Sequence, residues 1–118
     1  SKGNLVFVSR LVASGTDPMA IRWALMSDHY RSNRMWSDEL LHKAEVELAQ
    51  VRKALHHVEV AETDGVIKEI IRALSDDLDT PKVLSTLIDW SAATLSGEQG
   101  GSSQQLLISL DALLGLKL

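Results

Sequence analysis

Residues 37–58 read SDELLHKAEVELAQVRKALHHV, and this stretch decides the fold. Leu41, Ala44, Leu48, Val51, Leu55 and Val58 recur in steps of three and four, the spacing that gathers side chains on one face of an α-helix. Ser37 is placed to cap the helix start, where Asp38 and Glu39 meet the positive end of the helix dipole. Glu39, Lys43, Glu47, Arg52 and Lys53 flank the stripe as its solvated side. One apolar face needs other elements to cover it, and the rest of the chain supplies them.

Upstream, residues 17–34 read DPMAIRWALMSDHYRSNR. Asp17 can accept from free backbone N–H groups, and Pro18 suits the first helical position because it has no N–H to lose. Ile21, Leu25 and Asp28-His29 fall along one line at helical spacing, with Trp23 and Met26 on an adjacent face. Leu5 to Val8 is a short apolar, β-branched run that reads as an extended segment. Ser9 to Ala13 reads as a short helix stopped by Gly15.

Downstream, 61–65 reads as a turn. Val66, Ile67, Ile70, Ile71 and Leu74 make a second stripe. Thr80-Pro81 repeats the cap-then-proline start, and Leu84, Leu87, Ile88, Ser91 and Leu95 follow at helical spacing. Residues 96–103, SGEQGGSS, have the composition of a flexible linker. A last helix over 104–114 carries Leu106, Leu107, Leu110, Leu113 and Leu114, a stripe that must dock. The expected fold is all-α: an antiparallel bundle of four to five helices behind a short extended segment. The expected parts are a connector over 1–16, the bundle over 17–95, the linker over 96–103 and a docking helix over 104–118.

The 118 residues suffice for one domain. Hydrophobic residues make up 45% and charged residues 24%, as in ordinary globular domains. No apolar run approaches the ~20 residues of a membrane span, so no membrane partner is expected. No secretory leader is recognisable, and there is no cysteine, which fits a cytoplasmic location and removes disulfides and thiolate metal sites. A formal net charge of −4 argues against a domain built chiefly to neutralise nucleic-acid phosphates.

Few residues have the make-up of a site. His56 and His57 are adjacent and would point about 100° apart on a helix, which suits surface histidines better than a shared metal. Asp76, Asp77 and Asp79 precede a helix start, where carboxylates cap and complement the dipole. Ser27, Asp28 and His29 are consecutive and would fan around a helix, so they form no catalytic triad. His29, Tyr30, Arg31, Arg34 and Trp36 are the best binding candidates: guanidinium forks for phosphate or carboxylate, and rings for stacking. The alternative reading is cations set against a helix C-terminus, with Trp36 as an apolar anchor.

The opening Ser1-Lys2-Gly3-Asn4 places glycine beside a cation and small polar donors, a composition suited to phosphates. It resembles the end of the KMSKS signature of class I aminoacyl-tRNA synthetases, with Ser1 as its final serine or, in the other register, Lys2 as its second lysine. Three further strings resemble cysteinyl-tRNA synthetases: Asp17-Pro18 with the helix into His29-Tyr30-Arg31-Ser32, Trp36 to Leu41, and Asp76-Asp77-Leu78-Asp79-Thr80-Pro81. The resemblance spans roughly residues 1 to 95. Within that family, Asn4 to Leu11 and Gly15-Thr16-Asp17-Pro18 look more like the mycothiol-pathway cysteine ligases of actinobacteria.

The resemblance implies a parent enzyme that activates cysteine with ATP as cysteinyl-adenylate and transfers it to the amine of glucosaminyl-inositol. It implies ATP contacts at Ser1 and Lys2, and makes His29, Tyr30, Arg31 and Arg34 the candidates for contact with substrate or tRNA. It also implies a zinc ion whose ligands lie outside this chain, on an N-terminal catalytic domain that is the chain's first partner. On that view this is a non-catalytic C-terminal fragment, and its uncovered face, expected at Leu5 to Val8 and Trp23, invites self-association. Two alternatives stand beside it: the helical part of a cysteinyl-tRNA synthetase, with tRNA as partner, and a non-enzymatic helical interaction module.

Overall fold

The computed structural model describes residues 9–27 and 37–118. Residues 9–13 are helical, and the turn after them passes through Gly15 at φ 87°. Five helices follow: α1 (Pro18–Met26), α2 (Asp38–Leu55), α3 (Asp64–Ser75), α4 (Thr80–Leu95) and α5 (Ser103–Leu114). Among the described residues there is no strand, only an isolated antiparallel bridge between Ala61 and Gly100. The fold is the expected all-α bundle. The extended segment expected at residues 5–8 lies outside the described residues.

Most helix starts follow local chemistry. Asp17 accepts from the N–H of Met19 at 2.9 Å, Ser37 from that of Leu40 at 3.2 Å, and Ser102 from that of Gln105 at 3.2 Å. Gly115 closes α5 at φ 64°, its N–H bonded to the carbonyl of Asp111 at 2.9 Å. One cap differs from the sequence reading. Asp79 caps α4, accepting from Lys82 N–H at 3.2 Å, and Thr80 is already helical. The Thr80 hydroxyl instead donates to the carbonyl of Met26 at 2.8 Å and ties the start of α4 to the end of α1.

Helix α4 is the central strut. It packs on both α2 and α3, and α1 lies along α2 and touches α4. Val83, Leu84, Leu87 and Trp90 of α4 are buried, and so are Leu41, Ala44, Leu48, Val51 and Leu55 of α2. Val58 does not continue the α2 stripe: the helix stops at Leu55, and Val58 is 95% exposed. In α1 the buried face is Ala20, Ile21, Trp23, Ala24 and Met26, while Leu25 is 56% exposed. The two small alanines let α1 approach its neighbours closely, so Trp23 turns inward and Leu25 outward. Trp23 is therefore wholly buried rather than part of an uncovered face, and its indole N–H donates to Glu47 at 3.2 Å. In α3 only Ile70 and Ala73 are buried, and Ile71 is 47% exposed, because α5 meets α3 over a short stretch.

Helix α5 docks through Leu106, Leu110 and Leu114, with Leu116 buried beyond the cap. Arg22 of α1 donates from Nε to the carbonyl of Leu114 at 2.7 Å and from Nη2 to the same oxygen. This satisfies a helix-end acceptor that would otherwise need water. The Lys117 N–H points at Met19 Sδ, 3.3 Å away.

The glycine-rich stretch before α5 carries defined backbone bonds, although composition alone reads it as a flexible linker. The Gly101 N–H donates to the carbonyl of Val60 at 3.0 Å, and the Ser102 N–H to Thr63 Oγ1 at 3.1 Å. A Cβ on Gly101 would lie 1.9 Å from the Ala61 oxygen, so this close approach requires glycine. The other side of residue 61 is held by α4: Thr94 Oγ1 accepts from the Ala61 N–H at 3.0 Å, and Trp90 Nε1 donates to its carbonyl at 2.9 Å.

Candidate functional site: a two-helix cleft at the start of α1

The sequence-derived site residues Ser1, Lys2, His29, Tyr30, Arg31 and Arg34, with Trp36, lie outside the described residues. Of the rejected triad, Ser27 is described, and its hydroxyl donates to the Ala24 carbonyl at 2.7 Å, a bond within the helix end. Asp76 to Asp79 form the turn between α3 and α4, where Asp77 and Leu78 take φ values of 57° and 54°. Among the described residues no group of three or more His, Cys, Asp or Glu could hold a metal ion, and the chain has no cysteine. These residues do not fit a zinc site.

The structure adds a cleft that sequence reasoning missed. It has a volume of about 740 Å³ and lies between the start of α1 and the second half of α2. Its floor is Ala20 and Leu48, and its exposed rim carries Glu45, Ala49, Lys53, His56 and His57. Both histidines are exposed, as expected of surface histidines, but they sit at and beyond the end of α2 rather than within it. His56 is the C-cap of α2, and His57 follows it, its Nδ1 lying 3.1 Å from the Glu59 carbonyl oxygen.

The wall of the cleft is an ion pair. Arg52 Nη1 donates to Asp17 Oδ2 at 2.6 Å, while Asp17 Oδ1 accepts from the Met19 N–H at 2.9 Å. The Arg52 hydrogen bond holds the Asp17 carboxyl below its ordinary pKa, helped by the Met19 N–H and opposed by partial burial. Asp17 thus has two roles, helix cap and anchor of α1 to α2. Neither partner's local sequence points to the other across 35 positions; only the packing of α1 on α2 brings them together.

A second groove, of about 550 Å³, runs between α3 and α4 over Trp90. Glu62, Glu69, Asp89, Glu98 and Lys82 are its charged lining. Both grooves offer charge and apolar surface, which suits recognition more than bond-making.

No protein-family profile matches the chain. Curated relatives match all of it. It is 47% identical over 119 residues to the L-cysteine:1D-myo-inositol 2-amino-2-deoxy-alpha-D-glucopyranoside ligase of Nakamurella multipartita, covering 28% of that protein. The ligases of the same name from Mycolicibacterium smegmatis and Saccharomonospora viridis are 45% and 44% identical, with 29% and 30% of their lengths covered. From end to end, the chain matches the C-terminal region of the L-cysteine:1D-myo-inositol 2-amino-2-deoxy-alpha-D-glucopyranoside ligases and spans less than a third of their length.

Proposed function

We propose that this chain is the helical C-terminal part of an ATP-dependent ligase that joins cysteine to the amine of glucosaminyl-inositol. The observation that carries the reading is the match of all 118 residues, at 44–47% identity, to relatives whose names state that acceptor. A carboxylate does not form an amide in water unless it is activated; the resemblance to class I synthetases favours cysteinyl-adenylate, formed from cysteine and ATP with release of pyrophosphate, from which the acceptor amine displaces AMP. Ser1 and Lys2 would contribute to holding the ATP phosphates, as the end of a KMSKS-type loop. Zinc, which the resemblance implies, would be held on the catalytic part. Arg31 and Arg34, with His29 and Tyr30, are the residues of this chain proposed to meet substrate. The parent works in the cytoplasm, where ATP and free cysteine are available. No helix among the described residues is long and apolar enough to cross a membrane.

On this reading the helical part supports chemistry performed elsewhere. Cysteine-dependent exchange of pyrophosphate into ATP measures adenylate formation alone. The full-length enzyme is expected to catalyse it, and the purified 118-residue chain to give only background. Exchange by the 118-residue chain would overturn the non-catalytic assignment.

A further inference from the structure

Thr80 stands at the end of a strained turn. Asp77 and Leu78, neither of them glycine, both take left-handed backbone angles, at φ 57° and 54°. That conformation is disfavoured for any residue with a Cβ, and it persists only where the surroundings enforce it. Leu78 gains no burial in return, being 59% exposed. Backbone bonds hold the turn: the Asp79 N–H donates to the Ala73 carbonyl at 2.9 Å, and the Thr80 N–H to that of Leu78 at 2.7 Å. The turn delivers the Thr80 hydroxyl to the carbonyl of Met26, 2.8 Å away and 54 positions back in the chain.

Helix α4 does not need this hydroxyl for its own start, because Asp79 already caps it. The bond serves α1. Met26 is the last residue of α1, and its carbonyl is one of those a helix end leaves without an intrahelical donor. Ser27 closes the same end from within, its N–H and hydroxyl both returning to the Ala24 carbonyl. The end of α1 is thus fixed twice, by Ser27 from its own chain and by Thr80 from α4. The sequence that follows carries His29, Tyr30, Arg31 and Arg34, proposed above to meet substrate. Ser1 and Lys2 are assigned to ATP, which leaves these four to the acceptor. Their N–H and O–H groups are donors for the hydroxyl oxygens of a sugar. We infer that Thr80 is a positioning residue for the acceptor: by holding the Met26 carbonyl it sets the point from which this segment serves its substrate. This rests on the proposed substrate role of those four residues.

The test uses the full-length enzyme and Thr80→Val, which keeps the shape of the side chain and removes the donor. Cysteine-dependent exchange of pyrophosphate into ATP needs no acceptor, so it reports on folding and adenylate formation alone. Loss of one hydrogen bond predicts a KM for glucosaminyl-inositol raised about fivefold, with exchange unchanged. Thr80→Ser, which keeps the hydroxyl, is expected to restore the KM. Thr86→Val makes the same chemical change on α4 where the hydroxyl bonds only within its own helix, to the Lys82 carbonyl at 2.8 Å, and is expected to leave the KM as it is. An unaltered acceptor KM in Thr80→Val would overturn the inference. So would a parallel fall in exchange, or an equal rise in KM in Thr86→Val, since either marks a general structural effect. A wild-type enzyme that charges tRNA instead refutes the proposed acceptor alone. The split is then expected in the KM for tRNA, and its absence there overturns the role of Thr80.

Discussion

Asp17 does the most work of any single described side chain. It caps α1 with one carboxylate oxygen and grips Arg52 with the other. The cap is the larger contribution, because losing one costs about 1 kcal/mol, whereas a half-exposed ion pair contributes less than about 1 kcal/mol. Asp17→Asn keeps an oxygen for the cap and loses the charge, so it should cost less than about 1 kcal/mol at pH 7. Asp17→Ala should cost about 1–2 kcal/mol, both read by urea denaturation. The pH dependence has a definite sign. The folded-state pKa is depressed, so the stabilisation is present above the ordinary carboxylate value and is lost as pH falls through the folded value. The wild-type advantage over Asp17→Asn should therefore shrink on acidification. An advantage that grows as pH falls would contradict the assignment of Asp17 as the ionised partner of Arg52.

At the scale of elements, α2 was legible because its stripe is long, regular and capped, although its end was not. The pattern runs on to Val58 while the backbone stops at Leu55, since periodicity alone does not register a helix end. The face of α1 was harder to read. Hydropathy favours Leu25 over Ala20, yet close packing buries the small residue and exposes the large one. The meeting of residues 60–63 with 100–102 had no sequence signal beyond glycine itself, because its partners are some forty positions apart. It makes a sharp prediction. Gly101→Ala sets a methyl against the Ala61 carbonyl, and since that neighbour is backbone it should destabilise by about 1–3 kcal/mol. Gly65→Ala, inside α3, meets only the flexible end of Glu62 and should be neutral or stabilising by up to about 1 kcal/mol. Equal effects of the two substitutions in chemical denaturation would refute the account of the 101 turn.

For the whole molecule, the described residues form a bundle whose ends are tied by side chains from distant parts of the chain. Arg22 reaches the end of α5, Thr80 joins α4 to α1, and Gln50 Nε2 donates to Ser91 Oγ at 2.7 Å across α2 and α4. The helix content and the likeness to L-cysteine ligases were readable from local strings of sequence. The cleft was not, because it depends on how α1 sits on α2. On the proposal above, this bundle belongs to an enzyme whose cysteine acceptor is an amino sugar. The most direct measurement offers the full-length enzyme cysteine and ATP with glucosaminyl-inositol and cysteine-specific tRNA in competition, and quantifies both products by mass. The expected product is the cysteinyl amide of glucosaminyl-inositol with no tRNA charging above background; charged tRNA without the amide would refute the proposed acceptor.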